Sequence, residues 1–211
     1  MKNIIISSSN KHKISEIITT IKPLFDKIYS LSDFPDIGDI KEDGTSIVEN
    51  SFIKSRVAFN HTKLPSMADD TVLEVDHLMG DPGIYTARYA GENATYEENM
   101  EKLLKNLKGV PWKERTARFK TVVTYVDGEN DFFVEGCLEG KILESKHGDL
   151  GFGYDPIFYA SAQNMSLGDM GLEEKNQISH RAIAIQKFAH KIIRLMNCLL
   201  YTSDAADESV G

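Results

Sequence analysis

The chain has few cysteines, no long apolar run and no excess of positive charge, and each shortage excludes a class of protein. Cys137 and Cys198 are its only cysteines and lack metal-ligand spacing, so we expect free thiols and a reducing compartment, the cytoplasm. The sequence contains no run of about 18 apolar residues. The N-terminal residues turn polar at Ser7, too early for a signal peptide. We therefore expect no membrane partner.

The net charge of −8 and the isoelectric point near 5.3 argue against a general nucleic-acid binder, because no broad basic surface is available for phosphates. An acidic protein that handles a polyanion needs a local basic pocket or a divalent metal. The 211 residues, 41% of them hydrophobic, suit one large domain or two closely joined lobes. We expect a single domain over residues 1–200 and a disordered or non-native tail over residues 201–211.

Hydrophobic periodicity predicts strands interspersed with helices, which is an α/β fold. Helices are expected after Asn10 up to Pro23, from a Ser46/Glu49 capping box to about Phe59, around residues 100–107, and from near Ser179. Strands are expected at residues 3–6, 65–68, 73–75, 117–126, 132–135 and 141–143. The hairpin-like pairing near residues 116–135 favours a mixed sheet.

The polar segment after the first strand places Ser8, Ser9 and Asn10 at a helix N-terminus, with Lys13 close by. Unpaired backbone N–H groups and the helix dipole favour an anion there. The glycine spacing and the Gly-Lys-Ser/Thr ending of a P-loop are missing. An ordinary capped helix and a phosphate site both remain open.

Asp69 and Asp70 follow a predicted strand and precede Thr71, so we expect two carboxylates where a strand meets a loop. Oxygen ligands suit Mg²⁺, which bridges protein carboxylates to substrate phosphates. A solvated acidic turn is the alternative. Other carboxylates that could complete a metal site are Glu42, Asp43, Glu74 and Asp76.

The glycine-rich loop Gly151–Pro156 has the composition of a base-recognition loop. Phe152 offers a flat face for a nucleobase, and Asp155 offers acceptors for its N–H donors. The alternative is a turn between buried strands, with Phe152 and Tyr154 in the core.

Lys175, His180 and Arg181 form a basic cluster near Ser179, a predicted N-cap. Basic side chains in a first helical turn oppose the helix dipole. That cost is more easily understood if a substrate anion or a base carbonyl lies between them.

Taken in order, these motifs resemble the non-canonical purine nucleoside triphosphate pyrophosphatases, the inosine/xanthosine triphosphate pyrophosphatase family. The resemblance runs from residue 4 to about 190, through segments 8–13, 42–54, 68–71, 82–91, 151–158 and 174–181. The chain departs from the family with Ser8-Ser9 in place of Thr-Gly and with Thr71-Val72 in place of Ser-Gly. These changes concern rate and affinity more than reaction type.

The resemblance implies two lobes around a long mixed β-sheet, with the active site in the cleft between them. It also implies a homodimer, a requirement for Mg²⁺, and no nucleic-acid partner. The implied reaction converts the purine nucleoside triphosphates ITP, dITP and XTP to the monophosphate and pyrophosphate. Such an activity removes deaminated purines from the nucleotide pool.

The resemblance also assigns residues to roles. Asp70 is the expected catalytic residue, with Asp69 able to share the work, and Glu42 and Asp70 are the expected metal ligands. The expected substrate-binding residues are Ser8, Ser9, Asn10, Lys13, Lys54, Thr71, Phe152, Gly153, Tyr154, Asp155, Lys175, His180 and Arg181. Two alternatives remain: a nucleotide sensor with weakened catalysis, favoured by Val72 and Ser8-Ser9, and a pyrophosphatase for modified pyrimidine nucleotides.

Overall fold

The computed structural model describes the backbone of residues 2–207 and the side chains of residues 2–197. Within that range the elements are β1 Asn3–Ile6, α1 Lys11–Ile21, β2 Lys27–Ser30, α2 Ile47–Thr62, β3 Ser66–Val75, β4 Pro82–Gly83, α3 Tyr96–Asn106, β5 Thr116–Val126, β6 Asp131–Ile142, β7 Phe158–Ala160, β8 Met165–Ser166, α4 Leu172–Ile178 and α5 His180–Asp207. Among the helices of this part of the chain, none has the length and apolar character needed to span a bilayer.

The expected tail begins at residue 201, where α5 still continues to Asp207. Residues 208–211 and the side chains of the whole tail lie outside the described residues. Its assignment as a disordered or non-native segment therefore stays a prediction.

The strands form one sheet in the order β2-β1-β3-β5-β6-β7-β8, with β4 added to the edge of β3. β1 runs parallel to β2 and β3, whereas all later pairings are antiparallel. The predicted α/β fold with a long mixed sheet is confirmed.

The prediction that the acidic pair ends a strand is wrong. β3 runs without interruption from Ser66 to Val75, and Asp69 and Asp70 lie in its middle, opposite Val123 and Val122 of β5. The polar residues stay in the strand because cations and hydroxyls from distant segments satisfy their side chains. β6 is also longer than expected: it runs from Asp131 to Ile142 and takes in the short strand expected at 132–135 and most of the one expected at 141–143.

Two apolar cores flank a polar seam on one face of this sheet. Met67 belongs to a core with α1 and α5, and Leu73 belongs to a second core with α3. Asp69 and Thr71 lie between them on the same face, because side chains of a strand alternate. β5 repeats the pattern: Val123 and Phe119 lie in different cores, with Thr121 between them. We call Asp69, Thr71, Thr121 and Gly136 the polar seam.

Gly136 of β6 lets the start of α5 rest directly on the seam. It pairs with Thr121 in the sheet register. A Cβ atom at this position would lie 2.0 Å from the His180 carbonyl oxygen and 2.5 Å from the Ala184 nitrogen. Only glycine leaves room for this approach, so the seam places the first residues of α5 beside the centre of the sheet.

Helix α2 covers the opposite face, where its small side chains allow a close approach. The Ser51 hydroxyl donates to the Ala68 carbonyl at 3.1 Å, and the Thr124 hydroxyl donates to the Ser51 carbonyl at 3.0 Å. Ser46 caps the helix through the Glu49 N–H, but the Glu49 carboxylate accepts from Thr45 and not from Ser46. Of the two hydrogen bonds in the predicted capping box, the structure therefore contains the one from the Glu49 N–H to Ser46 Oγ.

Candidate active site

A cavity opens where the edge of β3 has no neighbouring strand within the described residues. β1 pairs with β3 only through Ile5 and Ile6, and β4 pairs with it only at Leu73 and Glu74. The intervening part of β3 carries the acidic pair and borders a cavity of about 710 Å³. The cavity is therefore reached by side chains from both faces of the strand.

Every residue that the sequence predicted for the site lines this cavity. They are Ser8, Ser9, Asn10, Lys13, Glu42, Lys54, Asp69, Asp70, Thr71, Phe152, Gly153, Tyr154, Asp155, Lys175, His180 and Arg181. Their roles stay predictions, because position in a cavity does not by itself establish what a side chain does.

The other carboxylates considered for the metal site lie elsewhere. Asp43 forms an exposed ion pair with Lys41 at 3.2 Å. Glu74 pairs with Lys120 at 2.8 Å, and Asp76 accepts from Arg118 at 2.8 Å, away from the cavity lining. Of the four, only Glu42 contributes to the cavity.

Asp69 points to the face covered by α1 and α5, and its exposed fraction is 1%. Its Oδ2 lies 3.0 Å from Arg181 Nε and 3.2 Å from Lys13 Nζ. Its Oδ1 is buried and has no hydrogen-bond partner within the described residues. Burial alone would raise the pKa of Asp69, but Lys13 and Arg181 outweigh it and hold the pKa well below its ordinary value. Asp69 is therefore a fixed anion.

Asp70 points to the opposite face, towards α2. Its side chain is 16% exposed, and Lys54 Nζ lies 3.1 Å from its Oδ1. The same ammonium lies 3.0 Å from Glu42 Oε2, so Lys54 bridges the two carboxylates. Burial opposes the charge on Lys54, but Asp70 and Glu42 raise its pKa above the ordinary value. This arrangement leaves Asp70 open to a ligand or to water.

Glu42 and Asp70 present carboxylate oxygens of the kind that a divalent cation such as Mg²⁺ takes as ligands. Mg²⁺ is commonly held by one or two carboxylates together with phosphate oxygens and water. The two carboxylates converge on a single cation, the Lys54 ammonium, which shows that their negative charge is directed to one place. Among the described residues, no group of three or more His, Cys, Asp or Glu side chains is arranged to hold a metal ion.

The loop before α1 ends in a capped helix that faces the cavity. The Asn10 Oδ1 accepts hydrogen bonds from the backbone N–H groups of His12 at 3.0 Å and Lys13 at 3.2 Å. The Asn10 N–H donates to Ser8 Oγ at 3.2 Å. Capping thus explains the position of Asn10, and the Lys13 ammonium next to this helix start provides positive charge for an anion.

A buried network of ion pairs forms the other end of the cavity. Lys175 Nζ lies 2.7 Å from Asp155 Oδ2 and 2.9 Å from Glu16 Oε1. Arg181 donates to Glu16 and to Asp69. Burial would raise the pKa of Glu16, but Arg181 and Lys175 lower it below its ordinary value. These charges hold one another in place with little contact with solvent.

Asp155 holds the glycine-rich loop in shape. Its Oδ2 accepts from the Phe152 N–H at 2.7 Å, and burial raises its pKa despite the contact with Lys175. Gly151 has φ +78°, and a Cβ there would lie 2.2 Å from the same oxygen. The loop therefore needs glycine at this position. Tyr154 is buried and donates from its hydroxyl to the Thr86 carbonyl at 2.9 Å.

The Phe152 ring lies among cations and another ring. Lys175 Nζ is 4.6 Å and Arg181 Cζ is 5.6 Å from its centroid. The His12 ring stacks on Phe152 with a centroid separation of 5.3 Å and an interplanar angle of 21°. Phe152 is thus fixed as a flat surface at this end of the cavity, suited to stacking.

His180 is a neutral member of the predicted basic cluster. Burial, together with nearby Arg181 and Lys175, holds the pKa of its imidazole well below the ordinary value. The ring stacks on Phe119 at 4.6 Å with an interplanar angle of 27°. Ser179 Oγ accepts from the Ala182 N–H at 3.1 Å, as expected for an N-cap. The predicted opposition between the His180 charge and the helix dipole is therefore absent.

Two residues around the site, Glu16 and Thr121, were not predicted from the sequence. Glu16 lies one turn after Lys13, on the same face of α1, next to the apolar stripe that contains Ile17. A carboxylate bordering an apolar stripe, one turn after a basic residue, was the available signal. Thr121 carried no signal, because it lies within a β-rich run.

The family model described as the Ham1 family matches residues 4–191. The chain belongs to the Ham1 family. A protein of Thermoanaerobacter pseudethanolicus named dITP/XTP pyrophosphatase is 48% identical over 191 residues, which cover 90% of this chain and 96% of that protein. The resemblance to the inosine/xanthosine triphosphate pyrophosphatase family, predicted from the motifs, is thereby confirmed.

Solved Ham1 structures have the same fold. The Staphylococcus aureus Ham1 protein has a TM-score of 0.81 at 36% identity, covering 90% of this chain and 98% of that one. A HAM1 protein from Coxiella burnetii has a TM-score of 0.84 at 33% identity, covering 92% and 100%. Family and fold thus agree over nearly the whole described chain.

Proposed function

We propose that this Ham1 protein hydrolyses ITP, dITP and XTP to the nucleoside monophosphate and pyrophosphate. The observation that carries the proposal is the convergence, in one cavity, of an open carboxylate and lysines at one end and a flat ring with buried polar groups at the other. The name of the relative from T. pseudethanolicus supports the same substrate class.

Hydrolysis at the α-phosphorus needs a positioned water and neutralisation of about four negative charges on the triphosphate. Asp70 would orient the water, since it is the more open of the two adjacent carboxylates. Lys54, Lys13 and the start of α1 would hold the phosphates, together with Ser8, Ser9 and Asn10. Thr71 also lines the cavity, and its hydroxyl oxygen accepts from Arg181 Nη2 at 3.1 Å.

Glu42 and Asp70 would hold the Mg²⁺ ion. Negative charge on the departing pyrophosphate would be neutralised by the bound metal. Lys54 would then exchange its carboxylate contacts for contacts with phosphate oxygens. Asp69, which is fixed by two cations, would keep Lys13 and Arg181 in place.

At the other end of the cavity, Phe152 would stack on the purine base while Asp155, Lys175, His180 and Arg181 surround its edge, next to Gly153 and Tyr154. A 6-keto base presents an acceptor to these donors, whereas adenine presents a donor amine. Sites built on polar pairing can reject a mismatched base by factors of about 10⁴. This supports 6-keto purines over ATP as substrates.

We also propose that the protein is a homodimer located in the cytoplasm. The family resemblance supports a homodimer, and Met79, which is 99% exposed, and Tyr85 offer apolar surface beyond the cavity. Light scattering on the purified chain would give the mass of a dimer if this is correct and that of a monomer if it is not. The low cysteine content supports the cytoplasm.

The test is a substrate panel of ITP, XTP, ATP and a pyrimidine triphosphate, each with Mg²⁺ and with a chelator. We expect Mg²⁺-dependent release of monophosphate and pyrophosphate from ITP and XTP, with ATP spared. Removal of the metal should reduce the rate to background. Tight binding of ITP without turnover would instead indicate a nucleotide sensor, and preference for the pyrimidine would indicate a pyrimidine nucleotide pyrophosphatase.

A further inference from the structure

A line of hydroxyl groups connects Arg181 to the imidazole of His180 across the polar seam. Arg181 Nη2 donates to Thr71 Oγ1 at 3.1 Å. Thr71 Oγ1 lies 2.7 Å from Thr121 Oγ1, which lies 2.6 Å from His180 Nδ1. Thr71 and Thr121 are direct partners on neighbouring strands. Each contact is within ordinary hydrogen-bond distance.

Among the described residues, only one donor-to-acceptor direction along this line gives every hydroxyl hydrogen an acceptor. A guanidinium group only donates, so Thr71 Oγ1 accepts from Arg181. The described residues offer the Thr71 hydroxyl hydrogen one acceptor, the Thr121 oxygen. The Thr121 hydroxyl hydrogen then goes to His180 Nδ1. The reverse direction would leave the Thr71 hydrogen without an acceptor in the described part of the chain.

This direction makes Nδ1 of His180 an acceptor. The ring is neutral, because burial and the adjacent cations lower its pKa. A neutral imidazole carries one N–H hydrogen, so that hydrogen lies on Nε2. His180 lines the cavity, and its Nε2 has no hydrogen-bond partner within residues 2–197. The Phe119 ring, stacked on the imidazole, fixes the plane in which Nε2–H points.

We propose that Thr121 is a positioning residue that fixes the Nε2–H tautomer of His180 and so makes this imidazole a hydrogen-bond donor to the base carbonyl. The identity of the ligand rests on the proposed function, whereas the tautomer does not. In the other tautomer, an unprotonated Nε2 would accept from the 6-amine of adenine. Thr121 therefore contributes to substrate selection without contact with the substrate.

The sheet geometry explains how a threonine in the middle of a strand reaches the first residue of α5. Thr121 is paired with Gly136, whose missing side chain lets the His180 backbone lie directly over β6. Any side chain at position 136 would displace the imidazole from the Thr121 hydroxyl. The glycine and the threonine thus act together.

The test compares Thr121→Val, which keeps the shape and removes the hydroxyl, with Thr121→Ser, which keeps the hydroxyl. In protein labelled with ¹⁵N-histidine, long-range ¹H–¹⁵N correlation spectra distinguish the two tautomers of His180. We expect Nε2–H in the wild-type protein and in Thr121→Ser, and an increased Nδ1–H population in Thr121→Val. An Nδ1–H tautomer in the wild-type protein, or an unchanged tautomer in Thr121→Val, would overturn the proposal.

A second measurement is the ratio of kcat/KM for ITP to kcat/KM for ATP. We expect the ratio to fall at least about 10-fold in Thr121→Val and to be restored in Thr121→Ser. An unchanged ratio in Thr121→Val would overturn the role in selection. If Thr121→Val does not fold, Thr71→Val interrupts the same line one step earlier and should shift the tautomer in the same direction. If the wild-type protein does not hydrolyse ITP, the proposed function fails, while the spectra still decide the tautomer.

Discussion

Asp69 and Asp70 are neighbours in sequence, but the two faces of β3 give them different surroundings. The Asp69 side chain is 0% exposed and paired with two cations, of which Arg181 is itself buried, whereas the Asp70 side chain is 16% exposed and paired with one lysine. The two cations fix Asp69 through its Oδ2, so only the unpartnered Oδ1 is left for a ligand or water. Asp70 is held by one cation and is more open. From this contrast we infer that Asp69 has mainly a structural role and that Asp70 has the chemical one.

The same contrast extends along the cavity. On the Asp69 face, buried ion pairs join Glu16, Lys175, Asp155 and Arg181. On the Asp70 face, the Glu42 side chain is 35% exposed and forms an ion pair with Lys54. We call the part of the cavity around Phe152 the base end, after the nucleobase, and the part around Asp70 the phosphate end. We infer that the base end is rigid and that the phosphate end can exchange its ion pairs for metal and phosphate contacts.

The largest expected effect is on catalysis. Asp70→Asn should lower kcat for ITP by about 10³-fold with little change in stability, because in the proposed mechanism Asp70 positions the water. Asp69→Asn should instead destabilise the fold by about 3 kcal/mol, because Arg181 and Lys13 lose a buried partner. Steady-state kinetics and urea unfolding measure the two effects. The control is Glu74→Gln, the next carboxylate on β3, which should keep wild-type activity. Near-normal turnover of Asp70→Asn would contradict the assignment.

The same Glu→Gln substitution should destabilise the protein more at the base end of the cavity than at the phosphate end. Glu16→Gln removes the negative charge shared by Lys175 and Arg181, and we expect a loss of about 3 kcal/mol in the free energy of unfolding. Glu42→Gln, at the more exposed end, should cost less than about 1 kcal/mol. Urea denaturation of both variants provides the comparison. Equal losses would show that the ends do not differ in rigidity.

The pH dependence of the free energy of unfolding should reflect the titration of His180, at the base end of the cavity. The pKa of His180 is lowered in the folded protein, so between that pKa and the ordinary value near 6.5 the unfolded chain binds more protons. The stabilisation is complete above pH about 6.5 and is lost progressively on acidification below it. The raised pKa of Asp155 acts in the opposite direction, because the folded state gains a proton at higher pH than the unfolded chain.

Unfolding free energies of the wild-type protein and His180→Asn, measured from pH 7 to 5, isolate this contribution, since the Asp155 effect is common to both. The slope should be steeper in the wild-type protein. Parallel slopes would mean that His180 titrates normally in the folded state.

The smallest effect concerns stacking. Phe152→Ala should raise KM for ITP about 10-fold, because stacking of a base on an aromatic ring contributes roughly 1–3 kcal/mol. Inhibition by pyrophosphate, which lacks a base, should be unchanged. The control is Phe133→Ala, an exposed phenylalanine that does not line the cavity. If Phe133→Ala raises KM as much, the effect does not come from base stacking.

The sequence predicted the parts of the site that are continuous along the chain. The glycine-rich loop, the capped start of α1 and the N-cap Ser179 each depend on neighbouring residues, and all form where expected. The predicted break at Asp69-Asp70 was wrong because the partners that keep these carboxylates in a strand come from distant segments. Glu16 was missed for the same reason: its partner Arg181 is 165 positions away.

The measurement that tests the central claim most directly is hydrolysis of ITP in H₂¹⁸O with mass analysis of both products. If water held at Asp70 attacks the α-phosphorus, the products are inosine monophosphate carrying ¹⁸O and unlabelled pyrophosphate. Release of inosine diphosphate and orthophosphate, or ¹⁸O in the pyrophosphate, would contradict the account.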